Sequence, residues 1–248
     1  MTTPVIFTAG CTLLGFQVGA FLPALVRRLD PTASGTITRP GCHLPVRHLG
    51  CPSWRGWVTT ANTCTHCGRR LGPAALPLEL HTAAVFGLLA WRLGPSPALP
   101  AFLYLGAAGV ALAVADLRTR RLPDLLVLPS YPIAALLLGL AAVTADGAGP
   151  YLRALTAAAL LFSAYAVLAM LGPRNGMGGG DVKLAGVLGM FLGWLGWRAV
   201  LNGTVLAFGF ASIVAAALLA SRRATWSSSI PFGPFMLAGT LAATVLSG

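Results

Sequence analysis

Only six of the chain's 248 residues are acidic, and two of them stand where long apolar runs end or begin. Asp116 closes the run in "GVALAVADLRTRRLPD", and Asp181 opens the run that follows "GMGGG". Ionisable groups at the edge of a bilayer segment are costly and usually face a polar interior. Two carboxylates brought close cannot both ionise easily, so one keeps a proton near neutral pH. The protonated member can donate to a carbonyl oxygen while the ionised one takes a proton from water. That is aspartic-protease chemistry, with pKa values that belong to the pair. The same two acids also suit the bland role of marking where two helices leave the lipid. In a small secondary transporter they would relay protons or bind a cation. Against the transporter, no inverted repeat is visible, and both acids fall at one membrane face rather than near the midplane.

Around Asp181 the residue types are unusual. Gly178, Gly179 and Gly180 permit backbone angles closed to other residues, so the chain can leave open space beside the carboxylate. An extended substrate strand could pair with backbone groups exposed there; a flexible turn between helices would need the same glycines. Lys183, the only lysine of the chain, follows Asp181 by two positions, about 200° round a helix. It therefore points away from the carboxylate and suits snorkelling to lipid phosphate or an acidic loop, or a contact to substrate. Asp124 suits the first turn of a helix. Glu79 stands near the start of its span, where a helix N-terminus favours an anion. Asp30 flanks a span, and Asp146 lies in the turn "ADGAGP".

The elements that must position these residues follow from composition. The chain is 56% hydrophobic and 9% charged, whereas soluble domains average about a quarter charged residues. Windows of about 20 apolar residues predict eight spans, near 4–26, 76–92, 98–116, 124–144, 151–171, 181–197, 199–220 and 231–247. The expected fold is all-α and polytopic, with a first helix over 1–26, a small cytoplasmic insert over 27–75 and a membrane core over 76–248. The first run reads as a retained span, because two arginines, Arg27 and Arg28, follow it and no cation precedes it. With the N-terminus outside, 14 cationic residues fall inside and three (Arg92, Arg153, Arg198) outside, as the positive-inside rule asks. The net charge of +11 is then accounted for by arginines facing anionic headgroups, and no nucleic-acid partner is needed. Both Asp116 and Asp181 fall on the cytoplasmic side.

Residues 27–75 hold Cys42, Cys51, Cys64 and Cys67. Cytosolic thiols stay reduced, so these cysteines point to a metal rather than disulfides. The spacing of "CTHC" lets two thiolates reach one zinc. A four-thiolate site is open to them, with His43 or His48 able to replace a ligand, and so are free thiols on a shortened loop. Cys11 suits packing within the first span.

Taken together, these residues resemble the prepilin peptidases, polytopic aspartic proteases of type IV pilus and type II secretion systems. "GMGGGDVKLAG" is similar to their G-x-G-D motif followed by V-K-L, and "ADLRTRRLPD" to their first aspartate with its later apolar residue, proline and Asp or Asn. "CTHCGRRLGPAALPLEL" resembles their C-x-x-C-G and the Pro/Glu stretch after it, with one residue fewer between proline and glutamate. The first C-x-x-C pair of the family is broken here, since eight residues separate Cys42 from Cys51.

The resemblance implies that Asp116 and Asp181 are the catalytic pair. It places Gly178, Gly179, Gly180, Lys183, Pro123 and Glu79 among the active-site loop or substrate-binding residues. The implied location is the bacterial inner membrane, and the implied substrate a prepilin or pseudopilin, cut at the cytoplasmic face so that its hydrophobic helix stays in the bilayer. Proteolysis needs no cofactor. Many members also methylate the new N-terminus with S-adenosylmethionine, and a preflagellin peptidase would share the dyad.

Overall fold

The computed structural model describes residues 2–29, 75–144, 147–171, 177–222 and 230–247. Among them are eight helices and no strand: α1 (Thr2–Leu29), α2 (Ala75–Leu93), α3 (Leu99–Thr119), α4 (Asp124–Thr144), α5 (Gly149–Leu171), α6 (Gly179–Leu195), α7 (Trp197–Ala220) and α8 (Gly233–Leu246). The all-α architecture expected from periodicity holds, with helix bounds within a few residues of the eight apolar runs. Five of the helices, α1, α3, α4, α5 and α7, are long and apolar enough to cross a membrane. Large apolar side chains such as Leu136, Val143, Met170, Leu201 and Ile213 are exposed on this bundle. Hydrocarbon is their proper solvent, since in water such a surface would drive association.

Helix α6 is different. Val182 and every residue from Leu184 to Gly193 are buried, with α4, α5, α7 and α8 packed against it. A helix apolar on all sides belongs inside a bundle, and protein rather than lipid surrounds this one. At 17 residues it is short for a span, and its burial makes extra length unnecessary.

Close approach between helices is set by small residues, as in membranes generally, where no hydrophobic force draws helices together. A methyl added at Gly15 or Gly19 of α1 would lie 2.8 Å from the Thr82 carbonyl oxygen or 2.6 Å from the Glu79 Cα of α2. Likewise Gly189 and Gly193 of α6 face α5, where added methyls would lie 2.7 Å from the Ala157 oxygen and 2.8 Å from the Arg153 oxygen. Gly239 of α8 meets Ala207 of α7 in the same way. Edge-to-face packing of Phe102 on Phe191, centroids 5.4 Å apart, joins α3 to α6.

The two ends of the bundle carry different chemistry. At one end, arginines satisfy helix C-terminal carbonyls that lack intrahelical partners. Arg153 donates from Nε to the Gly193 oxygen (2.7 Å) and from Nη2 to the Trp194 oxygen (2.8 Å). Arg92 Nε donates to the Val245 oxygen at 2.9 Å. These are two of the three arginines assigned to the outer side from sequence. The helix ends bearing Asp116 and Asp181 lie at the opposite end.

Candidate active site

Asp116 sits in the last turn of α3, which ends sharply. The Arg120 N–H donates to the Asp116 carbonyl oxygen at 2.8 Å, and Arg120 adopts a left-handed φ of 53°. Such a residue closes a helix and turns the chain into the short connector Arg120–Pro123. Pro123 then starts α4 by offering its carbonyl oxygen to the N–H groups of Leu126 (3.0 Å) and Val127 (3.2 Å). Its role is thus to begin the next helix seven residues after Asp116.

The Asp116 side chain is only 4% exposed. Its Oδ2 accepts a hydrogen bond from the Gly233 N–H at 3.0 Å, at the start of α8, where free N–H groups favour an anion. A Cβ on residue 233 would lie 2.8 Å from that oxygen, so the approach requires glycine.

Asp181 stands in the first turn of α6. The Gly178 N–H donates to its Oδ2 at 3.3 Å, the half of a capping box that a glycine N-cap allows. Leu122, in the connector after Asp116, joins the two acid sites. It packs where a methyl on Gly180 would lie 2.9 Å from its Cβ, and a methyl on Gly233 would lie 3.4 Å from its Cδ2. Asp116 and Asp181, 65 positions apart in sequence, are therefore brought to one end of the bundle, on segments that pack on the same leucine.

A third polar group belongs to this neighbourhood. Tyr165 of α5 is 4% exposed. Its ring packs on Phe208 (5.8 Å between centroids) and Phe232 (6.4 Å). Phe232 immediately precedes Gly233, so this aromatic cluster backs both acid sites.

Other residues singled out from sequence have these places. Lys183 Nζ donates to both carboxylate oxygens of Asp124, each at 2.8 Å, an acid in the first turn of α4 rather than in a loop. Glu79 is buried on α2, and its backbone backs onto Gly19 of α1. It lies at the same end of the bundle as the two aspartates, and no described contact joins it to either. Cys42, Cys51, Cys64 and Cys67 lie outside the described residues. Among the described residues no group of three or more His, Cys, Asp or Glu side chains is placed to hold a metal ion.

Sequence reasoning missed Gly233, Leu122 and Tyr165. "PFGPF" carried one signal, a glycine between prolines at a helix start. Leu122, set among Arg120, Arg121, Pro123 and Asp124, carried only its place in the "LPD" resemblance, which says nothing of its contacts. Tyr165 carried none, since it is one more bulky residue in apolar surroundings.

Comparison with known proteins accords with this arrangement. Residues 103–221, which include both aspartates, match the type IV leader peptidase family. A protein of Aeromonas salmonicida, named a prepilin leader peptidase/N-methyltransferase, is 31% identical over 204 residues, covering 82% of this chain and 69% of its own length. The chain belongs to the type IV leader peptidase family. Proteins of the same name from Stutzerimonas stutzeri and Pseudomonas aeruginosa are 26% and 28% identical, covering 97% and 96% of this chain and 91% and 90% of their own. No solved structure matches. As a member of this family the chain is a polytopic membrane peptidase, and the transporter reading of its carboxylates is set aside.

Proposed function

We propose that this leader peptidase is an aspartic endopeptidase in which Asp116 and Asp181 share one proton and activate a water between them. The observation that carries the reading is that the two carboxylates, each oriented by a backbone N–H, stand at one end of the bundle on segments that Leu122 packs together. The ionised member takes a proton from water as the oxygen adds to the scissile carbonyl carbon. The protonated member donates to the carbonyl oxygen, giving a neutral tetrahedral intermediate. On collapse the protonated carboxyl gives its proton to the departing amine while the ionised one takes a proton from a hydroxyl of the intermediate. The C–N bond breaks, the product carboxyl forms and the pair returns to its single-proton state. No covalent adduct with the enzyme forms. Of the glycines before Asp181, Gly180 is covered by Leu122, while Gly179 has nothing within 4 Å of an added Cβ and leaves an extended substrate segment room to approach.

The substrate in this reading is a prepilin or pseudopilin, supported by the names of the relatives. The cut falls at the cytoplasmic face of a bacterial inner membrane, supported by the excess of arginine and lysine on the side bearing the aspartates. In this reading residues 1–26 and 76–248 make the membrane part, with 27–75 inserted in sequence between them. Within that insert, Cys42, Cys51, Cys64 and Cys67 would hold a structural zinc as thiolates. Methylation of the new N-terminus from S-adenosylmethionine is supported by the relatives' second activity, and no residue of this chain is assigned to it.

The test is cleavage of a co-expressed prepilin by Asp116→Asn and Asp181→Asn variants that still insert in the membrane. Loss of processing in both is expected. Near-parental cleavage by either would remove the dyad.

A further inference from the structure

The first turn of α6 has little of its own to hold it in place. Its N-cap, Gly178, has no side chain, and two more glycines follow. The one carboxylate that closes the turn is Asp181 itself. Glycines lose the most conformational freedom on ordering, so an outside hold must set where Asp181 stands.

Three contacts supply that hold, and all come from the stretch that starts at Asp116. Leu122 presses on Gly180, as described above. Lys183 forms its two-pronged ion pair with Asp124 at 2.8 Å. The Tyr131 hydroxyl donates to the Lys183 carbonyl oxygen at 2.7 Å. That last bond needs Gly186, because a Cβ there would overlap the Tyr131 hydroxyl. Lys183 leaves the helix about 200° from Asp181, so the grip falls on the face turned away from the carboxylate.

We propose that Asp124, Lys183 and Tyr131 form a positioning clamp that sets the Asp181 carboxylate against Asp116. The proposal rests on the dyad reading above. Asp124 stands eight residues after Asp116 and Lys183 two after Asp181, so the ion pair ties the two acid-bearing segments together at a second point. The pair is partly exposed, and such pairs contribute little to stability. Its effect is on geometry, where a misplacement of about 1 Å costs on the order of 100-fold in rate.

The experiment uses the full chain in liposomes and follows steady-state cleavage of a prepilin by Lys183→Met, Asp124→Asn, their double variant and Tyr131→Phe. If the residues act through one another, each charge variant lowers kcat about tenfold with KM within about twofold, a partial loss of orientation. The double variant is then no slower than the worse single one, because both changes break the same link. Tyr131→Phe, which removes one oxygen and keeps the ring, lowers kcat about threefold, the size of a weak hydrogen bond. It carries the test alone if a charge variant fails to insert.

Losses that multiply in the double variant would overturn the clamp. So would a KM rise confined to Lys183→Met, which would mark a direct substrate contact, or parental kcat throughout. Asp116→Asn assayed alongside separates the two levels. If it is inactive while the clamp losses multiply, the clamp alone fails. If it retains activity, the dyad reading falls and takes the clamp with it.

Discussion

Gly233→Ala is the sharpest test of how Asp116 is held. The new methyl carbon would start 2.8 Å from Asp116 Oδ2 and 3.4 Å from both its Cγ and the Leu122 Cδ2. Ordinary carbon–oxygen contact begins nearer 3.4 Å, so something must yield by about half an ångström. Backbone and carboxylate are the only parties, and neither is the loose end of a long side chain. Either the N–H···Oδ2 bond of 3.0 Å breaks or the carboxylate swings away from Asp181. A hydrogen bond to a charged group contributes about 1.5–3 kcal/mol, which converts to about 10- to 150-fold in rate if it is felt in the transition state. The expected outcome is a kcat/KM for prepilin cleavage lower by about that factor, with the fold intact, since alanine is the better helix former.

Gly209→Ala on α7 is the matched control. Nothing lies within 4 Å of its added methyl, so activity should hold and stability should rise by about 0.5–1 kcal/mol. Both variants are compared by cleavage kinetics and thermal unfolding in the same detergent. Parental activity in Gly233→Ala would show that the Gly233 contact does not orient the reacting group.

Further outcomes follow from the same geometry. Gly189→Ala, whose methyl would meet the Ala157 carbonyl oxygen at 2.7 Å, should destabilise the α5–α6 pair by about 1–3 kcal/mol. A lower midpoint in thermal unfolding checks it, and an unchanged midpoint would count against close packing there. Purified protein should hold about one zinc, the ion a closed set of thiolates favours, and lose it in Cys64→Ser. Elemental analysis reads this directly, and a folded, metal-free parent would dispose of the site.

The sequence by itself determined the eight described helices, their approximate bounds and the membrane setting. Those properties follow from local apolar length, which needs no knowledge of neighbours: "LLVLPSYPIAALLLGLAAV" must be helical in lipid wherever it packs, because only a helix satisfies its own backbone there. The two aspartates were legible for a related reason, since a charge at the edge of an apolar run stands out in any window. The partner of Lys183 was left open among lipid phosphate, an acidic loop and substrate, and Asp124 was read only as a helix cap.

What tertiary structure alone decided is which helix faces which. Asp116 is held by Gly233, and Asp181 is steadied by Leu122 and by Lys183 on Asp124; each pairing spans many residues and leaves no periodic trace. Leu122 stands alone among charged neighbours and Tyr165 looks like its apolar surroundings, until the fold sets one between Gly180 and Gly233 and the other against Phe232. Helix α6 is central for the same reason. Between apolar helices in lipid no hydrophobic pattern separates a protein-facing side from a lipid-facing one, so contact shape, written in glycine positions such as 186, 189 and 193, selects the neighbours.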